Sequence, residues 1–244
     1  MSELIYGLQS ISALAVREPH RLLEVFTVST DADSRRQSLI KQLTDQGITC
    51  QRVSSEWLTR KTAGATHQGI AARIRPPTQY DEQQLPELWR GQIPFLLILD
   101  GVTDPHNLGA CLRSADAVGV QAVIIPRNRS VSYNATVSKV ACGAAERVPL
   151  VAVTNLARTL QTLQSHGIWI VGTSAQATPL IYQQSLTGPL ALVMGAEGHG
   201  LRRLTTERCD AMASLPMAGI VSSLNVSVAT GICLFEAIRQ RTKL

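Results

Sequence analysis

The stretch that most constrains this chain runs from Leu190 to Phe235. It begins Leu190-Ala-Leu-Val-Met-Gly-Ala-Glu-Gly-His-Gly-Leu201, an apolar run that enters a glycine-rich loop. A short charged helix is expected next. The chain then reads Leu215-Pro-Met-Ala-Gly-Ile-Val-Ser-Ser-Leu-Asn-Val-Ser-Val-Ala-Thr-Gly-Ile-Cys-Leu-Phe235. An unbroken apolar strand is covered on both faces, so helices must flank its sheet. A core has no need of glycine-rich and small polar loops. A backbone that approaches a ligand closely does need them.

The same pattern recurs upstream. Pro94-Phe-Leu-Leu-Ile-Leu-Asp100 predicts a central parallel strand, and further strands are expected at Ala122–Pro126, Val148–Val153, Gly167–Thr173 and Ala191–Met194. Between them lie helical patterns at 109–118, Ser138–Ala145 and Leu156–Ser165, with Val226–Ile238 as the last. This alternation is that of an open parallel α/β sheet. Residues 1–75 read as a smaller α/β module. An amphipathic helix over 4–16 is followed by strand Leu22–Val28, helix Ser34–Gln46, strand Ile48–Val53, capped helix Ser54–Arg60 and strand Gly69–Ile74. Adjacent Pro76 and Pro77 and a polar run mark a linker over 76–92, which leaves 93–244 as the second domain.

Composition narrows the function classes. The net charge of +5 fits a polyanionic partner without establishing one, and with only 4% aromatic residues any RNA contact leans on Arg and Lys more than on stacking. The five cysteines, Cys50, Cys111, Cys142, Cys209 and Cys233, form no Cys-x-x-Cys pair. That argues against a disulfide framework or a zinc site and for a reducing compartment. Cys111, Cys142 and Cys233 sit among small apolar residues and read as packing residues. No signal-peptide pattern and no membrane-length apolar run is seen, so a cytoplasmic protein is expected.

Three stretches can carry chemistry, and each has a plain reading beside the functional one. Asn107 follows a strand end, and Arg113 lies six residues on. They share a pocket if the helix starts near Asn107; otherwise Asn107 caps the helix and Arg113 is a solvated charge. Glu197 in the loop Gly195–Gly200 pairs with Arg113 or sits in an ordinary turn. Ser223 and Asn225 are helix caps or site residues. The loop is neither a dinucleotide fingerprint nor a Walker loop. The last helix is apolar nearly all round, which buries it in a core or a dimer interface.

Together these stretches resemble the three motifs of the SpoU, or TrmH-like, branch of the SPOUT RNA methyltransferases. Ile5-Tyr-Gly7, His67-Gln-Gly-Ile-Ala-Ala72 and Leu97-Ile-Leu-Asp-Gly-Val-Thr-Asp-Pro-His-Asn-Leu-Gly-Ala-Cys-Leu-Arg113 extend the likeness to nearly the whole chain, toward bacterial enzymes that 2′-O-methylate a guanosine of 23S ribosomal RNA in the peptidyl-transferase region. The resemblance implies an N-terminal L30e-like α/β module that binds RNA and a C-terminal α/β SPOUT domain with a parallel sheet and a deep trefoil knot. It implies S-adenosylmethionine as cofactor, no metal, and a homodimer. The family's catalytic positions fall on Asn107, Arg113, Glu197, Ser223 and Asn225. Its cofactor-binding positions fall on Gly195, Leu215 and Leu224, with Thr173 and Met217 nearby. Two other readings stay open: a tRNA 2′-O-methyltransferase of the same family, and a non-catalytic RNA-binding ribosome-assembly factor.

Overall fold

The computed structural model describes residues 2–29, 33–76, 80–196, 198 and 200–242. It forms two compact units, one of residues 1–78 and 133–146, the other of 79–132 and 147–244.

The first unit starts with β1 (Glu3–Tyr6), α1 (Leu8–Arg17), β2 (Leu22–Val28), α2 (Ser34–Asp45), β3 (Cys50–Val53), α3 (Ser55–Lys61) and β4 (Ile70–Ile74). Its sheet order is β1-β4-β2-β3, with β4 antiparallel to both neighbours and β2 parallel to β3. The two-residue strand period sorts the core into layers. Ile70, Ala72 and Ile74 pack with Ile11, Leu14, Leu39 and Leu43 of α1 and α2, while Ala71 and Phe26 pack with Leu58 and Trp57 of α3. The single helix expected over 4–16 is instead a strand and a helix. Gly7 separates them at φ 100, a conformation that glycine adopts without strain. Ile5 mimics helical spacing because it faces the same core as Leu8 and Ile11 from the strand.

The second unit opens where a linker was expected. A 3₁₀ helix over Glu82–Trp89 is capped by Asp81 and buries Leu85 and Trp89 against the sheet. Next come β5 (Phe95–Asp100), α4 (Pro105–Ala117) and β6 (Ala122–Pro126). Helix α4 starts earlier than residue 109 because Asp104 caps it, accepting from His106 N at 2.9 Å, with Pro105 in the first turn.

The chain then rejoins the first unit through α5 (Ala135–Ala141), capped by Asn134. A single cut of the chain therefore does not separate the two units. Glu146 fastens this excursion. Its Oε2 lies 2.8 Å from Arg21 Nη1, and its Oε1 accepts from Tyr133 Oη at 2.7 Å and Ser138 Oγ at 3.0 Å. Arg21 also donates to Glu18 Oε2 at 2.6 Å and to the Arg75 carbonyl at 3.1 Å. Burial, then the Glu146 charge, push the Tyr133 hydroxyl far above its ordinary range. Cys142, expected as a packing residue, is exposed; it ends α5 in the left-handed conformation at φ 52.

The rest of the second unit is β7 (Leu150–Val153), α6 (Leu156–Ser165), β8 (Trp169–Thr173), β9 (Leu190–Gly195), α7 (Arg203–Thr206), β10 (Ala211–Ala213) and α8 (Val226–Thr242). Six parallel strands lie in the order β10-β8-β9-β5-β6-β7. Strands β5, β6 and β9 are buried along nearly their whole length, as their apolar runs require. Strand β10 was not expected; three residues are too short to show a period. Helix α8 lies on α4, and burial holds the Cys111 thiol at about 11 and the Cys233 thiol at about 12, against an ordinary 9.0.

Two outcomes follow from these buried groups. Glu146→Ala leaves Arg21 with Glu18 as its carboxylate partner and takes the acceptor from the Tyr133 and Ser138 hydroxyls, and it lowers stability by about 1–3 kcal/mol in chemical denaturation. The thiol contribution to stability is full below pH 9.0 and is lost as pH rises through the folded values, so the denaturation midpoint falls on the alkaline side of 9.0. Native thiol labelling at neutral pH marks Cys142 first and reaches Cys111 and Cys233 only on unfolding.

Candidate functional site

The C-terminal ends of parallel strands form the edge where open α/β sheets bind ligands. Here that edge is built by β5, β9, β8 and β10. Asp100 stands opposite Gly195, and Ala213 opposite Thr173. Thr173 donates from Oγ1 to the Val193 carbonyl at 3.1 Å, which fixes its side chain against β9.

The glycine-rich loop leaves β9 and folds back at once. Gly200 N donates to the Ala196 carbonyl at 3.0 Å, and Ala196 N donates to the Asp100 carbonyl at 3.1 Å. A Cβ on Gly195 would lie 2.3 Å from Gly200 C and 2.5 Å from Leu201 N. Glycine is required there for the loop's own closure, whatever else approaches it. Glu197 and His199 lie outside the described residues.

Two residues that sequence reading passed over organise this loop. Asp100 is 1% exposed, and its Oδ2 accepts from Arg202 N at 3.0 Å. Arg202 Nε lies 3.4 Å from Asp100 Oδ1. The available signal was a lone carboxylate ending a strand of five apolar residues, Phe95–Leu99.

The other loop enters α8. Asn225 Oδ1 accepts from Ser227 N at 2.9 Å and from Ser227 Oγ at 2.6 Å, so Asn225 caps the helix. Its Nδ2 donates to Asn107 Oδ1 at 3.0 Å. Asn225 therefore caps α8 and bonds to Asn107 at once. Asn107 is not a cap, because Asp104 has that place; it is buried in the first turn of α4. Arg113 is exposed on α4, and six residues put it roughly a third of a turn around the helix from Asn107. Helix α4 alone thus does not turn both side chains to one spot. Ser223 is exposed, and Leu215, Met217 and Leu224 are half-buried. Among the described residues, the backbone of 215–224 bonds to no other backbone group.

Helix α8 is two-sided, not apolar-buried all round. Val226, Cys233, Leu234 and Ala237 are buried, while Val228 and Phe235 are 51% and 56% exposed. Ile220 and Val221 on the preceding loop are exposed as well. Among the described residues no cluster of three His, Cys, Asp or Glu side chains can hold a metal ion. The edge offers side-chain amides and hydroxyls, the half-buried Leu215, Met217 and Leu224 and, among the described residues, a run of backbone over 215–224 without backbone partners. Such a surface can hold a nucleoside-like molecule by its main-chain edges.

Residues 94–235 match the SpoU rRNA Methylase family, and residues 4–80 match the description RNA 2′-O ribose methyltransferase substrate binding. A protein of Photorhabdus laumondii named 23S rRNA (guanosine-2′-O-)-methyltransferase RlmB is 60% identical over 243 residues, 99% of this chain and 100% of that protein. The Escherichia coli protein of the same name has the same identity and coverage. Among solved structures, the SpoU methyltransferase AviRb of Streptomyces viridochromogenes, in complex with AdoMet, superposes with a TM-score of 0.83 at 23% identity, over 100% of this chain and 92% of that one.

Gly195→Ala tests the loop geometry. The added carbon must displace Gly200 and Leu201, so stability falls by about 1–3 kcal/mol and amide exchange at Gly200 speeds up.

Proposed function

The chain belongs to the SpoU rRNA Methylase family, and from that premise we propose that it transfers a methyl group from S-adenosylmethionine to the ribose 2′-oxygen of a guanosine in 23S ribosomal RNA. The observation that carries the reading is full-length likeness at 60% identity to proteins with that one named activity.

The residues at the sheet edge fit the cofactor. The unengaged backbone of 215–224 can meet an adenine edge, as Gly195 can, and half-buried Leu215, Met217 and Leu224 give the base an apolar bed. Thr173, tied to β9, borders the same edge. S-adenosylmethionine supplies, when bound, a methyl group on a positively charged sulfur. The chain's part is to hold a 2′-hydroxyl in line with it, and positioning of this kind accounts for much of the rate. The hydroxyl is a poor nucleophile and loses its proton near the transition state. Arg113, always cationic, grips the adjacent phosphate with its planar fork, as a guanidinium does well. Asn107 and Asn225 lock α8 to α4 and orient the loop that carries Ser223. Glu197 is assigned to orient Arg113.

The reading also assigns RNA capture to the first unit, whose residues 4–80 match a substrate-binding description. A knot is favoured by the path of the chain. It leaves β9 in mid-sheet, returns as β10 beyond β8, and comes back again as α8 against α4 and β9. The exposed stripe of Val228 and Phe235 with Ile220 and Val221 supports a homodimer. A ribosomal RNA substrate supports a cytoplasmic location.

Labelled methyl transfer to 23S ribosomal RNA and to bulk tRNA, both from a strain lacking the gene, tests the reading. Label on one guanosine ribose of 23S RNA is expected; label on tRNA alone contradicts it. Arg113→Ala is expected to slow transfer by about a hundredfold or more while cofactor affinity holds.

A further inference from the structure

We infer that Asp100 and Arg202 form a positioning pair that sets the shape of the glycine-rich loop and, through it, the affinity for the cofactor; this rests on the methyltransferase reading above. Asp100 ends the central strand of the sheet and is buried there. Its carbonyl takes Ala196 N at 3.1 Å, where the loop begins, and its carboxylate takes Arg202 N at 3.0 Å, where the loop ends. One residue thus fixes both ends of a loop that has no room for a side chain at Gly195.

A buried carboxylate is an odd choice for a purely structural strand end. Desolvation penalises it, and an apolar residue would continue the Phe95–Leu99 run without that cost. Its side chain is 0% exposed, and among the described residues Oδ1 accepts no hydrogen bond. The compensating charge is Arg202 Nε, 3.4 Å from Oδ1, on a side chain that is 41% exposed. The Arg202 guanidinium reaches over Gly101, where a Cβ would meet its Nη2 at 3.4 Å. The pair therefore spans the turns that follow β5 and β9, the first leading to α4, which carries Asn107, and the second leaving β9 at Gly195. Any loosening of the pair moves the Gly195 backbone edge without touching the cofactor-facing residues themselves.

The test uses full-length protein, titrated with S-adenosylmethionine by calorimetry, with turnover measured on 23S RNA. Asp100→Asn keeps an acceptor for Arg202 N and removes the charge. Arg202→Ala removes the partner, and its thermal denaturation is measured alongside, since the buried Asp100 carboxylate is left without its counter-charge. Each variant is expected to weaken cofactor binding about tenfold, and the double variant no further, because the two act as one unit. KM for RNA is expected to stay unchanged. Additive losses, unchanged cofactor affinity in Arg202→Ala, or a loss of thermal stability with no change in affinity would each overturn the inference. Wild-type protein that binds no S-adenosylmethionine would overturn the functional reading, and the inference with it.

Discussion

The bond from Asn225 Nδ2 to Asn107 Oδ1, 3.0 Å long, joins residues 118 apart in the chain and on it the candidate site depends. It fixes the start of the last helix to the start of the helix that follows the central strand. The far end of the last helix is pinned as well. Gln240 accepts from Leu186 N at 2.9 Å, and Arg241 donates to the carbonyls of Leu186 and Gly188 at 3.0 and 2.6 Å. That loop leads directly into β9. Polar contacts at both ends thus give the helix one register, which the weakly directional packing of its apolar side would not do alone. The stretch 215–224, whose backbone bonds to no other backbone group among the described residues, runs between β10 and that fixed helix start.

The two units solve the burial problem differently. The second relies on strands that are apolar on both faces, a stiff platform from which loops can project. The first is a half-polar sheet with a charged knot of Arg21, Glu146 and Tyr133 inside it, which ties in a segment that arrives from the middle of the chain. Hydrophobic burial alone would leave that segment's docking poorly specified. The charge that Arg21 and Glu146 share makes any other docking of it costly.

Long elements with a clear period were legible: β2, α2, β5, β6 and α6 stand where their patterns put them. The misreadings have physical causes. Ile5 matched a helical stripe because a strand residue can reach the same core as the helix after it. The start of α4 was placed too late because Asp104-Pro105, a cap followed by proline, was read as loop. Residues 82–89 looked like a linker because Pro86 and four Gln and Glu residues hide two anchors, Leu85 and Trp89. The docking of 133–146 depends on Glu146 finding Arg21, 125 residues away, which no local pattern records. In the site, the glycine-rich loop and the asparagines were legible because their residue types are poor core formers. Asp100 and Arg202 were not, since an acid at a strand end and an arginine before a helix are individually ordinary.

The central claim is that the stretches around Asn107 and Asn225 are parts of one active site. The most direct measurement is a double-mutant cycle on Asn107→Ala and Asn225→Ala, read in methyl transfer to 23S RNA. If the two amides act as one device, the double variant is no slower than the worse single variant. Losses that multiply independently would contradict it and would place the two stretches in separate functions.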